Sequence, residues 1–426
     1  MQLVSLFCAF WILLFFVLLF KKNVNKSFLF IVGIWAFSSA TSIIYVSEIG
    51  HYDRIQIIPY IFLILCLMAS FQPYMIPNDK IRSISIGNDR LFEKMILYLG
   101  VISILPFCEN LIHLMSSYGS ANTNSLADIY EEKMSGDFDR AKFVNWFSFP
   151  GKVFNSINLK FQYCSLFLLF LYMCRDKISR RLFGLMLIVV LNPVLYQLNM
   201  SGRSTVVFNL LRAGLLYFMF NSFLNSNIKR TFLKYGLIIL VFSVVLLMIL
   251  TIARYSTNEG ASQISLLAWM SLYSGEGTVN FNNYMWNTNC FTEGDTCFSF
   301  IKSILGFDTF DDVFGRRDYW GPRMGINPVR FYTFVGDLFA DLGYFCLFFL
   351  FIIGYGIKSI IVKSNPISAI KMYVFYTWAY LCISGITIFT FKTINSSIDL
   401  VTSLVIVYLI DRKSKNCIVL QNNTDY

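Results

Sequence analysis

Long apolar runs alternate with short polar connections along most of this chain. A helix crossing the hydrocarbon of a bilayer needs about 20 consecutive apolar residues. Runs that reach or approach that length lie near 2–20, 27–46, 55–72, 95–115, 157–174, 182–199, 204–222, 235–252, 343–361, 367–389 and 397–410. The pattern predicts an all-α polytopic membrane protein of about eleven transmembrane helices, a single integral domain over residues 1–426. The first run reads as a span and not as a cleaved signal peptide. Its positive charges, Lys21 and Lys22, follow it, and no small-residue cleavage pattern appears.

The short connections carry Lys and Arg unevenly. Every second one holds a cluster: Lys21, Lys22 and Lys26; Lys80, Arg82, Arg90 and Lys94; Arg175, Lys177, Arg180 and Arg181; Lys229, Arg230 and Lys234; Lys358 and Lys363; Arg412, Lys413 and Lys415. The short connections between them hold only Arg54, Arg203 and Lys392. Short cytoplasmic loops collect positive charge, so the alternation predicts a periplasmic N-terminus and a cytoplasmic C-terminus. Two long loops, about 116–156 and 253–342, then lie outside. Neither is low-complexity, and both are expected to be ordered. No repeat of 20–50 residues is evident.

Composition sharpens this picture. Of 426 residues, 56% are hydrophobic and only 14% charged, against roughly a quarter charged in soluble domains. The bilayer is thus a partner of the chain. The net charge of +10 sits mostly between apolar runs, where membrane orientation accounts for it, so no nucleic-acid partner is expected. Eight of the ten cysteines lie in or beside apolar runs, and the chain has only two histidines, His51 and His113. No cysteine pair has zinc-site spacing with histidine support, so no structural metal is expected. Cys290 and Cys297 are the only cysteines in the long loops, and an oxidising compartment predicts a disulfide between them.

Candidate chemistry gathers at a few places. Ser201-Gly202-Arg203-Ser204 follows a run interrupted by Asn192, Pro193, Gln197 and Asn199. Polar groups at membrane depth must face protein or water, which predicts a broken or re-entrant element over 192–203. It would present Arg203 to phosphate oxygens, or use it as an interfacial anchor. Arg212, about 13 Å deeper on one helix, is either a structural partner or a functional cation. Asn327-Pro328-Val329-Arg330 has the form of a capped helix start with an arginine in its first turn, a natural anion site. If that helix continues, Asp337 and Asp341 share a face with Arg330; the alternative is a polar face turned to water.

Glu109 and His113, one turn apart, can form an interfacial hydrogen bond, or a base with its orienting carboxylate. His51 stands with Asp53 and Arg54 in a short loop where solvent exposure is the default. The second loop carries Asp308, Asp311, Asp312, Arg316, Arg317, Asp318 and Arg323, interleaved with Phe310, Phe314, Tyr319 and Trp320. That mixture suits sugar rings and their hydroxyls, and equally any folded wet loop.

Together the many spans, the 44 phenylalanines, the Ser201-Gly202-Arg203 turn and the late loop running into Gly336-Asp337-Leu338-Phe339-Ala340-Asp341-Leu342-Gly343-Tyr344 form a family pattern. The chain resembles the Wzy-type O-antigen and oligosaccharide repeat-unit polymerases of bacterial inner membranes. Such enzymes have been described with an arginine followed eleven positions on by glycine. Arg203 with Gly214 and Arg140 with Gly151 fit, but no arginine of the second loop does.

The resemblance implies a multi-pass protein of the inner membrane that joins undecaprenyl-diphosphate-linked oligosaccharides at the periplasmic face. It implies no cofactor and no metal, and admits a chain-length regulator protein as a further partner. Cations must hold the lipid diphosphate, a task for Arg203 and Arg330 with Arg254 or Arg323. A base must take the acceptor's proton, with Asp337, Asp341 and His113 as candidates. Two other activities share parts of this pattern. An O-antigen ligase is expected to use a histidine in the late loop, which here has none. A lipid-linked oligosaccharide flippase usually has short loops and an even number of spans.

Overall fold

The computed structural model describes residues 1–49, 52, 54–77, 80–119, 145–200, 202, 204–257, 265–310, 313–327, 330–412 and 417–421. In chain order its helices and strands are α1 (Gln2–Phe20), α2 (Lys26–Ile49), α3 (Ile57–Phe71), β1 (Ser83–Ile86), α4 (Asp89–Gly119), α5 (Phe149–Lys160), α6 (Gln162–Met173), α7 (Arg180–Asn199), α8 (Ser204–Phe220) and α9 (Ser226–Thr257). There follow α10 (Leu266–Asn283), α11 (Ser299–Ile304), α12 (Val313–Met324), α13 (Thr333–Leu342), α14 (Cys346–Val362), β2 (Ile367–Ser368), α15 (Ala369–Ser384), α16 (Ile394–Asp411) and β3 (Ile418–Gln421). Among the described residues seven helices are long and apolar enough to cross a membrane, and α6 and α8 are shorter apolar helices. The chain is an all-α polytopic membrane protein with one small sheet.

The chain divides into two compact units. The first comprises 1–81, 259–365 and 374–398. Here α2 packs on α1 and α10, and α3 packs on α14. Three indole and phenol groups of this unit donate to backbone carbonyls, which satisfies them in an apolar interior. Trp35 Nε1 donates to the Cys382 carbonyl at 2.9 Å, Trp378 Nε1 to that of Ser70 at 2.8 Å, and the Tyr74 hydroxyl to that of Phe375 at 2.6 Å. α10 crosses α2 where side chains are small: a Cβ on Gly275 would lie 2.6 Å from the Ser42 backbone nitrogen. Ser42 Oγ donates there to the Gly275 carbonyl at 3.0 Å.

The second unit comprises 82–258, 366–373 and 399–426. β1 pairs in parallel with β2 and antiparallel with β3. α4 packs on α7 and α5, and α6 on α7 and α8. α7 runs unbroken through Asn192 and Pro193, which corrects the expected interruption over 192–203. Asn192 has protein partners that let it stay helical: its amide donates to Asn155 and Asn158 at 3.0 Å, and its oxygen accepts from Asn110 at 2.9 Å. The chain turns only after Asn199, with Gly202 N donating to the Gln197 carbonyl.

Arg212 is a structural cation. It is buried and donates twice, at 2.7 Å, to the carbonyls of Gln162 and Tyr163 beside the kink between α5 and α6. Lys160, at the end of α5, pairs with buried Asp399 at 2.8 Å.

Candidate functional site

The site begins with a turn that the sequence did not announce. α13 starts at Thr333, not at Asn327-Pro328, so Arg330 precedes the helix instead of standing in its first turn. Pro328 and Val329 lie outside the described residues. Thr333 holds φ +66°, a conformation costly for a β-branched residue. Neighbours hold it there: Thr333 N donates to the Thr387 carbonyl at 3.0 Å and Phe334 N to that of Gly385 at 2.8 Å. Its own Oγ1 accepts from Gly336 N at 3.2 Å, capping the helix.

The same segment, 385–392, supplies the partners of Asp337. Its Oδ2 accepts from Phe389 N at 2.6 Å and lies 3.2 Å from Lys392 Nζ. Asp341, one turn on, faces a different way. It accepts from Thr292 Oγ1, from Gly294 N and Thr296 N at 3.1 Å, and from Cys297 N at 2.6 Å. A carboxylate so saturated closes the 292–297 turn, and its lone pairs are not open to a substrate. Cys290 and Cys297 are free thiols, which corrects the expected disulfide: the carboxylate of Asp341, not a sulfur bridge, ties this turn. Burial, and after it the charge of Asp341, pushes the Cys297 thiol up.

Asp295 in the same turn fixes α12. It pairs with Lys302 and accepts from Trp320 Nε1 at 2.9 Å, while Arg316 donates to the carbonyls of residues 295 and 296 at 3.2 and 3.3 Å. Arg316, Arg317, Trp320 and Met324 thereby line a cleft that is walled on its other sides by Arg330, Tyr332, Asp337 and Lys392. The cleft is narrow, with a cavity volume of about 60 Å³, and it is partly open to solvent. Among the described residues, four cations and one carboxylate line it.

Their partners differ. Arg330 Nε lies 3.9 Å from Glu276 Oε1, and its guanidinium carbon lies 5.5 Å from the Tyr284 ring centroid. Arg317 forms no ion pair among the described residues. Burial, and then the like charge of Arg316, lowers its pKa from the usual arginine value. An anion entering this cleft would relieve both effects.

Neither Arg323 nor His113 lines the cleft. Arg323 is exposed, stacked 3.5 Å over the Tyr319 ring, and bonded to the Tyr319 carbonyl. His113 belongs to the second unit, where its ring stacks on Trp146 with centroids 4.2 Å apart. Glu109 accepts from Ser148 Oγ and N rather than from His113, whose Nδ1 has no hydrogen-bond partner among the described residues. The expected Glu109–His113 hydrogen bond is therefore replaced by a tie between α4 and the start of α5. Arg203, His51, Asp53 and the side chain of Arg254 lie outside the described residues.

Two residues of the site escaped the sequence reading. Lys392 counted only as a stray charge in a short connection. Glu276, on α10, is buried and accepts from the Tyr45 hydroxyl at 3.2 Å. Its signal was a lone carboxylate in the Gly275-Glu276-Gly277 stretch, where small neighbours permit close packing. No family model, curated protein or solved structure matches the chain.

Proposed function

We propose that the chain polymerises lipid-diphosphate-linked oligosaccharide repeat units, acting as a Wzy-type glycosyltransferase of the bacterial inner membrane. The reading takes about eleven spans, the N-terminus periplasmic and the C-terminus cytoplasmic, so that residues 253–342 face the periplasm. One observation carries it: Arg316, Arg317, Arg330 and Lys392 line one cleft, and Arg317 has no ion pair among the described residues. Arginine forks match pairs of phosphate oxygens, and clustered cations suit a diphosphate with more than one negative charge.

In the reaction the bond between the growing glycan's anomeric carbon and the diphosphate oxygen breaks, and the lipid diphosphate leaves with the electron pair. A hydroxyl of the incoming repeat unit attacks that carbon and gives up its proton. Arg317 and Arg330 hold the diphosphate and stabilise the charge that grows on the leaving oxygen. Asp337 is the carboxylate lining the cleft and takes the proton, provided Lys392 turns from it to the phosphate. Trp320 and Tyr332 offer apolar faces to sugar rings.

Deleting the gene in its own host and running the surface polysaccharide on a gel tests the reading. Single repeat units on the lipid core support polymerisation. A bare core with lipid-linked polymer retained means a ligase. Loss of all surface glycan means a flippase. Either of the last two outcomes sinks the proposal.

A further inference from the structure

Ten residues of the second long loop, Phe298-Ser299-Phe300-Ile301-Lys302-Ser303-Ile304-Leu305-Gly306-Phe307, hold six large apolar side chains. An apolar run this short cannot cross a bilayer; it belongs to a buried core or to a membrane interface. It is not core. Ile301 is 51% exposed, Ile304 67%, Leu305 66% and Phe307 62%. Four exposed apolar side chains within seven positions form a patch of the kind that marks an interaction surface.

The fold holds this patch outward. α11 ends in a tight closure: Gly306 has φ +78°, Phe307 N donates to the Lys302 carbonyl at 3.0 Å, and Gly306 N donates to that of Ser303 at 3.2 Å. A Cβ on Gly306 would meet no atom within 4 Å, so this corner stands clear of the protein. The polar groups of α11 turn inward instead. Lys302 pairs with Asp295, and Ser299 Oγ donates to the Asp295 carbonyl. A helix facing water carries its polar groups outside; α11 has the reverse arrangement. Its neighbour shows what it faces. Phe298 meets Phe349 of α14 edge-on, with centroids 5.7 Å apart. α14 belongs to a candidate membrane span, and Phe345 and Phe348 beside Phe349 are largely exposed. Lys363, exposed just past the far end of α14, must reach lipid headgroups. It lies fourteen positions beyond Phe349, about 21 Å along a helix axis, in a hydrocarbon layer about 30 Å thick. Phe349 therefore stands about 10 Å inside the opposite boundary, the depth to which interfacial helices bury their apolar faces.

We propose that residues 298–307 are an interfacial element immersed in the bilayer leaflet beside the start of α14, with Ile301, Ile304, Leu305 and Phe307 among the acyl chains. The partner of this surface is the lipid bilayer itself, and apolar side chains give the contact no preference for one headgroup over another. The inference stands whether or not the cleft binds a lipid diphosphate. It also gives the cleft a height. Asp295 pairs with Lys302 of α11 and accepts from Trp320 of α12 at 2.9 Å, so the immersion of α11 sets the level of the cleft wall relative to the headgroups.

The test uses the full chain in phosphatidylcholine nanodiscs that contain a phosphatidylcholine with a diazirine on one acyl chain. After photolysis, peptides covering 298–307 are expected to carry lipid adduct within threefold of the level on α14. Leu305→Glu combined with Phe307→Glu is expected to cut the adduct on 298–307 at least fivefold and to leave that on α14 unchanged. Water access gives an independent reading from two positions close in sequence. A membrane-impermeant maleimide is expected to modify Asp308→Cys at least tenfold faster than Leu305→Cys. Adduct confined to the membrane spans overturns the inference, and so do equal maleimide rates at the two positions. A slow maleimide reaction at Leu305→Cys without lipid adduct also overturns it, because a protein surface such as a second copy of the chain would then cover the patch. Adduct that persists in the double glutamate variant overturns it as well, since these side chains would not be what holds the element in the leaflet.

Discussion

Lys392 Nζ stands 3.2 Å from Asp337 Oδ2, joining residues 55 positions apart, and both side chains are largely buried. A buried pair costs desolvation on both sides, and removing one partner leaves the other uncompensated. Lys392→Met alone is therefore expected to destabilise the protein by about 3 kcal/mol. The double variant Lys392→Met with Asp337→Asn is expected to recover at least half of that loss. Thermal unfolding of the four members of the cycle measures it, and additive effects would show that the pair is not coupled.

Arg317 and Arg323 sit on the same helix in opposite circumstances. One lines the cleft without an ion pair among the described residues; the other is exposed and stacked on Tyr319. A charge-assisted hydrogen bond contributes about 1.5–3 kcal/mol. Arg317→Ala should then weaken pyrophosphate binding by between about tenfold and a hundredfold, and Arg317→Lys should recover only part. Arg323→Ala should bind like wild type. Titration calorimetry on purified protein separates the two, and equal losses would remove the cleft as the anion site.

Asp341 holds its turn with four acceptor contacts, and Cys297 is buried beneath it. Asp341→Asn replaces one accepting oxygen by a donor that faces another donor, at a cost of about 3 kcal/mol. The turn should open, and Cys297 should react with a membrane-impermeant maleimide at least tenfold faster than in wild type. Unchanged reactivity would mean that the turn is held by something else.

Glu276 supplies a pH dependence. Burial raises its carboxyl above the ordinary carboxylate range, against the opposing pull of Asn280, Arg330 and Tyr45. The folded protein therefore binds this proton more tightly than the unfolded chain does. The associated stability is fully present below the unfolded carboxylate range and is lost as pH rises through the folded value. Glu276→Gln carries no such proton. Its stability relative to wild type should rise with pH across that window and level off above it. A constant difference from pH 4 to 8 would contradict the assignment.

Orientation has its own readout. A reporter active only outside the cytoplasm should work when fused after Asn124 or Asn287 and stay silent after Asn78 or Asn227. A silent fusion at Asn287 would place the cleft on the wrong face of the membrane.

The membrane class was legible because hydropathy is a local property: a run such as 2–20 declares itself without reference to any partner. The candidate site was legible only in parts. Arg330, Asp337 and the 316–317 arginines stood out by residue type. The true start of α13 did not, because Asn327-Pro328 carries a helix-start signal and the conformation of Thr333 is set by Thr387 and Gly385, some fifty residues on. Asp341 read as a chemical group because nothing local shows that the 292–297 turn wraps it. Glu276 and Lys392 became visible only once α10 and the 385–392 segment were packed against α13.

The contorted backbone at Thr333 also sets an order of events during biosynthesis. A chain emerging from the ribosome delivers α13 well before residues 385–392, and the insertion machinery must place it while its fasteners are still unmade. The helix can form early, but its first turn and the carboxylate of Asp337 wait for the penultimate connection to arrive. The cleft is thus finished only after residues 385–392 are made, and a nascent chain halted before Gly385 would be embedded in the bilayer with Thr333 and Asp337 still unfastened.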